Sequence, residues 1–287
     1  MAGASAAGQA DGPGNPAVAR AASAGKQSQV LAPGHVLAAR EVVKRYGGVA
    51  AVDGVSLAVT AGEIAGLIGP NGAGKTTMFD LLAGSQRPSS GQVLIGGREA
   101  QAMAAHRRIG MGLGRTFQIP RPFPDMTLVE NVMLAEPGQI GERILPNWLR
   151  PRGVARQERD TLDKAMGLLD FVTLARLARE PAKVLSGGQR KLLELARVLM
   201  AKPSIILLDE PAAGVNPSLL EVIIEKIGAI NRGGTTFLII EHNMDLVSRL
   251  CGRVFVMAAG KLLCEGTPTE VAADPRVIEA YLGGCPA

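Results

Sequence analysis

Gly69-Pro-Asn-Gly-Ala-Gly74-Lys75-Thr76-Thr77 decides the fold of this chain, together with the apolar run Glu63 to Ile68 that leads into it. That run has strand length, and the residues from Lys75 to Leu82 have helical character. Strand, glycine loop and helix make a P-loop, and the loop fits the pattern G-x-x-x-x-G-K-[ST]. Glycines let the backbone curl until successive N–H groups point at one anion. The helix that starts there turns its positive end to the same place. Gly69, Pro70, Asn71, Gly72, Ala73, Gly74, Lys75, Thr76 and Thr77 are thus the candidate phosphate cradle. Lys75 would reach the β- and γ-phosphates of a nucleotide, and the Thr76 hydroxyl would bind Mg²⁺. A chance glycine-rich turn is the competing explanation, and the flanking strand and helix weigh against it.

Two further stretches carry chemistry. Ile205-Ile-Leu-Leu-Asp209-Glu210-Pro211 is a buried-type strand ending in two acids, at the carboxyl end where open α/β sheets bind ligands. Asp209 would hold Mg²⁺, and Glu210 would face the attacking water as general base. A solvated acidic turn would look the same without the upstream loop. Leu185-Ser186-Gly187-Gly188-Gln189 puts a hydroxyl and two glycines at a helix start, again an anion-binding arrangement. An ordinary serine N-cap would use the same residues.

Around these motifs the pattern alternates between strand and helix. Strands are expected at Val36 to Val43, Ala50 to Thr60, Ile205 to Leu208 and Thr236 to Ile240. Hairpins are expected at Gly96-Gly97 and at Ala259-Gly260, the latter joining Val254–Met257 to Leu262–Cys264. Helices are expected at Leu192–Leu199, Leu219–Ile230 and Val277–Leu282. The alternation predicts a mostly parallel sheet with helices on both faces. Residues 118–187 read as helical, with Leu162, Met166 and Leu169 on one face. Inside them, 135–155 is rich in Pro, Gly and Arg and carries the single tryptophan, Trp148, so it reads as an irregular insertion. Residues 1–34 are Ala, Gly, Ser, Pro and Gln with few large apolar groups, and read as a disordered tail.

Hydrophobic residues make up 47% of the 287, enough for a sizeable core, while aromatics at 3% leave aliphatic side chains to fill it. The net charge of +5 fits scattered solvated Lys and Arg, or attraction to an anionic surface. Three cysteines, far apart and without a Cys-x-x-Cys pair, indicate neither a zinc site nor a disulfide framework. A reduced cytosolic compartment fits. No apolar run approaches the ~18 residues of a membrane helix, and no secretory signal is expected.

The three motifs, with Leu185–Gln189 ahead of the Asp209-Glu210 strand, resemble the ABC-type ATPases, from about residue 35 to the end. Leu185 to Gln189 matches their signature. The likeness implies an α/β P-loop NTPase cassette: a mostly parallel sheet core, an antiparallel β subdomain and an inserted α-helical subdomain at 118–187, all within one domain, 35–287. It implies ATP and Mg²⁺ as cofactors. Ser186, Gly187, Gly188 and Gln189 would contact the γ-phosphate of ATP held by the opposite subunit. Tyr46, in Lys44-Arg45-Tyr46-Gly47, matches the aromatic that stacks on adenine. Gln118, in Arg115-Thr116-Phe117-Gln118, matches the glutamine that reaches Mg²⁺ and the attacking water. His242, after Ile239-Ile240-Glu241, matches the switch histidine at the γ-phosphate. The implied catalytic set is Glu210, His242, Lys75 and Gln118, and the metal set Thr76, Gln118 and Asp209. His35 and His106 read as solvated. One departure is Asn216, which stands where the family often has an aspartate, in a loop that crosses the dimer interface.

Several stretches look like the larger ATPase of branched-chain amino acid and amide importers: Gly114 to Asn131, Asp209 to Pro217, Glu241 to Asp245 and Val277-Ile-Glu-Ala-Tyr-Leu-Gly283. That implies two membrane permeases, a second ABC ATPase subunit, a periplasmic or extracellular substrate-binding protein, no nucleic acid, and a peripheral place on the cytoplasmic face of the membrane. A lipopolysaccharide-export ATPase shares the Tyr-Leu-Gly ending but lacks the Arg-Thr-Phe-Gln context. Soluble ABC ATPases of ribosomes or DNA carry twin cassettes or a coiled coil, whereas this chain has one P-loop and no heptad run. The arginines Arg143, Arg150 and Arg152 of the insertion would suit an anionic membrane face.

Overall fold

The computed structural model describes residues 34–116, 122–139 and 151–282, without the side chains of 151 and 152. The expected tail, Gln118 and the bulk of the insertion lie outside the described residues.

Strands β1 (His35–Tyr46) and β2 (Val49–Thr60) pair antiparallel through the turn at Gly47-Gly48. Strand β3 (Ile64–Ile68) leads to helix α1 (Lys75–Ala83), after which β4 (Ser90–Ile95) pairs with β1 and with the two-residue β5 (Arg98–Glu99). These make one antiparallel sheet in the order β2-β1-β4-β5. A short helix α2 (Ala105–Ile109) and strand β6 (Leu113–Arg115) follow, neither of them apparent in the sequence pattern. Helices α3 (Leu128–Met133), α4 (Pro151–Phe171) and α5 (Gly187–Met200) lie between β6 and the next strand. The chain then runs β7 (Ile205–Asp209), α6 (Pro217–Arg232), β8 (Thr236–Ile240), α7 (Met244–Leu250), β9 (Arg253–Ala258), β10 (Lys261–Gly266), α8 (Pro268–Ala273) and α9 (Pro275–Leu282).

The second sheet has the order β10-β9-β3-β8-β7-β6, parallel throughout except for the edge pair β9–β10. Every residue of β3, β7 and β8 is buried. Their unbroken apolar runs reflect cover on both faces. Successive side chains feed two cores. Leu67, Leu207, Leu238 and Phe255 face Met78, Phe79 and Leu82 of α1 and the antiparallel sheet. Ile68, Ile206, Leu208, Phe237 and Ile239 face α5, α6 and α7. Among the described residues, no helix is long and apolar enough to cross a membrane.

Two expectations in the helical region need correction. Residues 151–155 are not irregular but helical, within α4. The buried stripe of α4 is Val154, Thr161, Ala165 and Leu169, whereas Leu162 and Met166 are 41% and 37% exposed. The stripe is set by small side chains, Thr161 and Ala165, and hydrophobicity alone points one residue too far round the helix.

The carboxyl end of α1 is held by a buried cation. Arg108 is 1% exposed and donates to the carbonyls of Leu81 (2.7 Å), Leu82 (2.5 Å), Ala100 (2.7 Å) and Met103 (3.2 Å). The first two are last-turn carbonyls of a helix, where a positive charge is favourable. Burial pushes its pKa down to about 10. Replacing Arg108 by leucine leaves these carbonyls without their donor. Unfolding in urea should show a loss of roughly 3 kcal/mol with an unchanged slope.

Candidate nucleotide site

The loop after β3 is wedged between strands and cannot carry side chains at two positions. A Cβ on Gly69 (φ 148°) would lie 2.1 Å from the Met257 carbonyl oxygen, and one on Gly74 (φ 94°) 2.3 Å from that of Ala51. Gly74 is the N-cap of α1 and supplies no capping side chain. The first-turn N–H groups are therefore left for an anion. Lys75 is buried and arches back over the loop, its Nζ donating to Gly69 O (2.7 Å) and Pro70 O (2.9 Å). Burial lowers its pKa, and the charges of Glu210 and Asp209 oppose that shift. Thr76 is exposed on the first turn of α1.

Asp209 ends β7 and is 4% exposed. Its backbone N–H donates to Thr116 Oγ1 (3.3 Å). Arg115 reaches it with one guanidinium nitrogen (3.4 Å) and Asp80 of α1 with the other (2.6 Å). Burial raises the Asp209 pKa, and Arg115 pulls it back. Glu210 adopts a left-handed backbone (φ 48°), rare for a residue with a Cβ. Its N–H donates to Ile240 O (2.9 Å), its carbonyl accepts from Lys191 Nζ, and its Oε1 lies 3.2 Å from His242 Nε2. Strand β8 delivers His242 one residue after Glu241, which is 2% exposed. Glu241 accepts from the N–H groups of Ala212 (2.6 Å), His242 (3.0 Å) and Asn243 (3.1 Å). Through these bonds it joins the turn after Glu210 to the turn that carries the histidine.

Lys75, Asp209, Glu210 and His242 therefore come together at the carboxyl ends of β3, β7 and β8. Ser186 and Gln189 cap α5 reciprocally, Gln189 N–H to Ser186 Oγ at 3.3 Å and Ser186 N–H to Gln189 Oε1 at 3.0 Å. Ser186 and Gly187 stay exposed, and Gly188 is buried with no room for a Cβ, which would meet Leu219 Cδ2 at 2.3 Å. No hydrogen bond among the described residues joins this turn to the phosphate loop. Tyr46 is 47% exposed, its hydroxyl donates to Gln86 Oε1, and Lys44 Nζ stands 5.2 Å from its ring centroid. His106 is exposed, as expected, and His35 is half-buried. Arg115, Lys191 and Glu241 escaped the sequence reading as site residues.

A family model described as ABC transporter matches residues 52–213, and one described as branched-chain amino acid ATP-binding cassette transporter matches residues 261–284. The chain belongs to the ABC transporter family. It is 39% identical over 249 residues to the high-affinity branched-chain amino acid transport ATP-binding protein LivG of Salmonella typhimurium, covering 86% of this chain and 98% of that one. It is 38% identical over 251 residues to BraF of Pseudomonas aeruginosa, which carries the same description, with coverage of 86% and 98%. A crystal structure of an ABC transporter's ATP-binding cassette in its ADP conformation superposes with a TM-score of 0.74 at 35% identity, over 87% of this chain and 99% of that one. The chain is thus an ABC ATPase, and its sheets and helices form the P-loop cassette expected from the motifs.

For this ATPase, Gly69→Ala places a methyl group on the Met257 carbonyl and displaces the loop. ATP affinity should fall by roughly tenfold or more, about 1.4 kcal/mol, in a fluorescent-nucleotide titration. A parental dissociation constant would show that the loop can shift at no expense to binding.

Proposed function

We propose that this ATPase hydrolyses Mg²⁺-ATP between two cassettes and so powers uptake of branched-chain amino acids or related amides. The observation that supports the chemistry is the convergence of Lys75, Asp209, Glu210 and His242 at the strand ends, with Glu210 Oε1 3.2 Å from His242 Nε2. The ATP phosphates lie along Gly69 to Thr77, with the α1 amides and Lys75 taking up their negative charge. Tyr46 offers an exposed ring for the adenine.

The donors suit Mg²⁺. Asp209 is a deeply buried carboxylate and Thr76 an exposed hydroxyl, both hard oxygens, and Mg²⁺ in phosphate sites uses one or two such groups and completes its shell with phosphate and water. Thr76 and Asp209 would hold the ion, with Gln118 assigned to it by resemblance. When bound it neutralises the charge on the β- and γ-phosphoryl oxygens.

Glu210 accepts the proton of the attacking water, and His242 fixes the Glu210 carboxylate and faces the γ-phosphoryl group. The exposed Ser186 and Gly187, with Gly188 and Gln189, close on the ATP of a second cassette, so that ATP acts as an adhesive and hydrolysis reopens the pair. Two permeases receive this movement at the cytoplasmic membrane face, and a substrate-binding protein on the far side supplies the amino acid. This assignment is supported by the descriptions of LivG and BraF and by the match over residues 261–284.

Glu210→Gln should bind ATP like the parent yet turn it over at least roughly 100-fold more slowly. Parental turnover would remove Glu210 as the base. Purification of the full chain from gently solubilised membranes should bring two permeases and a second cassette, and leucine-loaded binding protein should stimulate the ATPase of that complex. Partners of lipid export, or ribosomes without permeases, would overturn the transport assignment and leave the hydrolytic chemistry in place.

A further inference from the structure

Lys191 stands on the second turn of α5, two residues beyond the Ser186–Gln189 capping box. Its ammonium is part-buried and donates to the backbone carbonyl of Glu210, 19 residues further along the chain. Burial lowers its pKa, and the charges of Glu241, Glu210, Glu194 and Asp209 oppose that shift. Glu210 is the residue most in need of such support. Its left-handed backbone is unfavourable for any side chain other than glycine and persists where neighbours enforce it. Its N–H is tied to Ile240 O of β8 (2.9 Å), and its carbonyl also receives the Ala213 N–H (3.2 Å). Lys191 adds a tie from a different element, α5, the helix capped by Ser186 and Gln189.

The start of that helix is packed without slack. Gly188 abuts Leu219 and Val215 so closely that a Cβ would lie 2.3 Å from Leu219 Cδ2. A displacement of Ser186–Gln189 therefore carries the following turn with it, since packed elements shift as units and do not deform continuously. The same displacement moves Lys191 Nζ relative to the Glu210 carbonyl. Lys191 also borders a small cavity with Thr116, Glu194, Asp209 and Pro211.

We propose that Lys191 is a positioning residue that links engagement of Ser186–Gln189 with ATP on a second cassette to the orientation of Glu210 in this chain's own site. The base is then fully set only when the neighbouring site is filled, which makes hydrolysis depend on ATP at both sites. The proposal rests on the sandwich reading above and adds to it a side chain that carries the message between sites.

The test uses the full chain assembled with its partner subunits, comparing the parent with Lys191→Met, Lys191→Gln and Lys191→Arg. A charge-assisted hydrogen bond to a positioned group corresponds to about tenfold in rate. Lys191→Met should lower kcat by about that factor, leave ATP affinity within about twofold, and flatten the dependence of rate on ATP concentration toward a simple hyperbola. Lys191→Arg, which keeps a cationic donor, should recover most of kcat and the steepness. If Lys191→Met does not fold, Lys191→Gln is read in the same way. A lysine that merely balances nearby acids would lower the melting temperature and ATP affinity together and leave the steepness unchanged. That result, or parental kinetics in Lys191→Met, overturns the proposal. Glu210→Gln is assayed in parallel. If it turns over normally, the base assignment fails and the proposal fails with it. If it is inactive while Lys191→Met behaves as the parent, the proposal alone is lost.

Discussion

The contact on which the rest of the structure depends is backbone against backbone, where the phosphate loop threads between two sheets. Gly69 abuts the Met257 carbonyl of β9, and Gly74 that of Ala51 in β2. Gly260, in the β9–β10 turn, donates to Ala73 O (3.1 Å) and accepts from Asp53 N–H (2.8 Å). The loop is therefore gripped by both sheets at once. Its amides are aimed by the packing of the whole domain and need no side chain of their own. Arg108 fixes the opposite end of α1, so the helix that presents its positive end to phosphate is anchored at both termini. Preorganisation of this kind is what lets a loop hold a multiply charged ligand without reorganising when it arrives.

How much of this is legible in the sequence depends on the range of the interaction. Strands β3, β7 and β8 announce themselves because burial on both faces leaves an unbroken apolar run, and the hairpin turns carry their glycines. Strand β6 and helices α2, α7 and α8 are too short for any periodicity to develop. Two of the short helices nevertheless had a readable start, since Thr127 with Glu130 and Thr267 with Glu270 form capping boxes. The stripe of α4 was misplaced because Thr161 and Ala165 are buried for their size and not their hydrophobicity.

The same division runs through the site. Glycines, Lys75, Asp209, Glu210 and His242 are marked by their immediate neighbours in sequence. Arg115, Lys191 and Glu241 are marked only by partners elsewhere: Arg115 meets Asp209 across 94 positions, and Glu241 meets Ala212 across 29. An arginine in a short strand, or an acid at the end of a buried one, has no local signature that separates it from a solvated charge. Folding supplies the distinction by removing the water.

The arrangement also resolves an electrostatic conflict that the motifs alone pose. A site for a polyanion is built here beside three acids, Asp209, Glu210 and Glu241, two of them buried. Like charges so placed repel one another and repel phosphate. The structure separates the two demands in space. On the β3 side, backbone amides, the end of α1 and Lys75 present positive charge. On the β7–β8 side each acid is committed to a donor: Asp209 to Arg115, Glu241 to three backbone N–H groups, Glu210 to His242. In the proposed reading the γ-phosphoryl group sits at the boundary, attracted from one side and faced by the Glu210 carboxylate on the other. Weakening either side alone would favour binding without turnover or a base without substrate. Arg115, paired with Asp80 and Asp209, and Lys191, bonded to the Glu210 carbonyl, therefore serve the site by holding its acids in place.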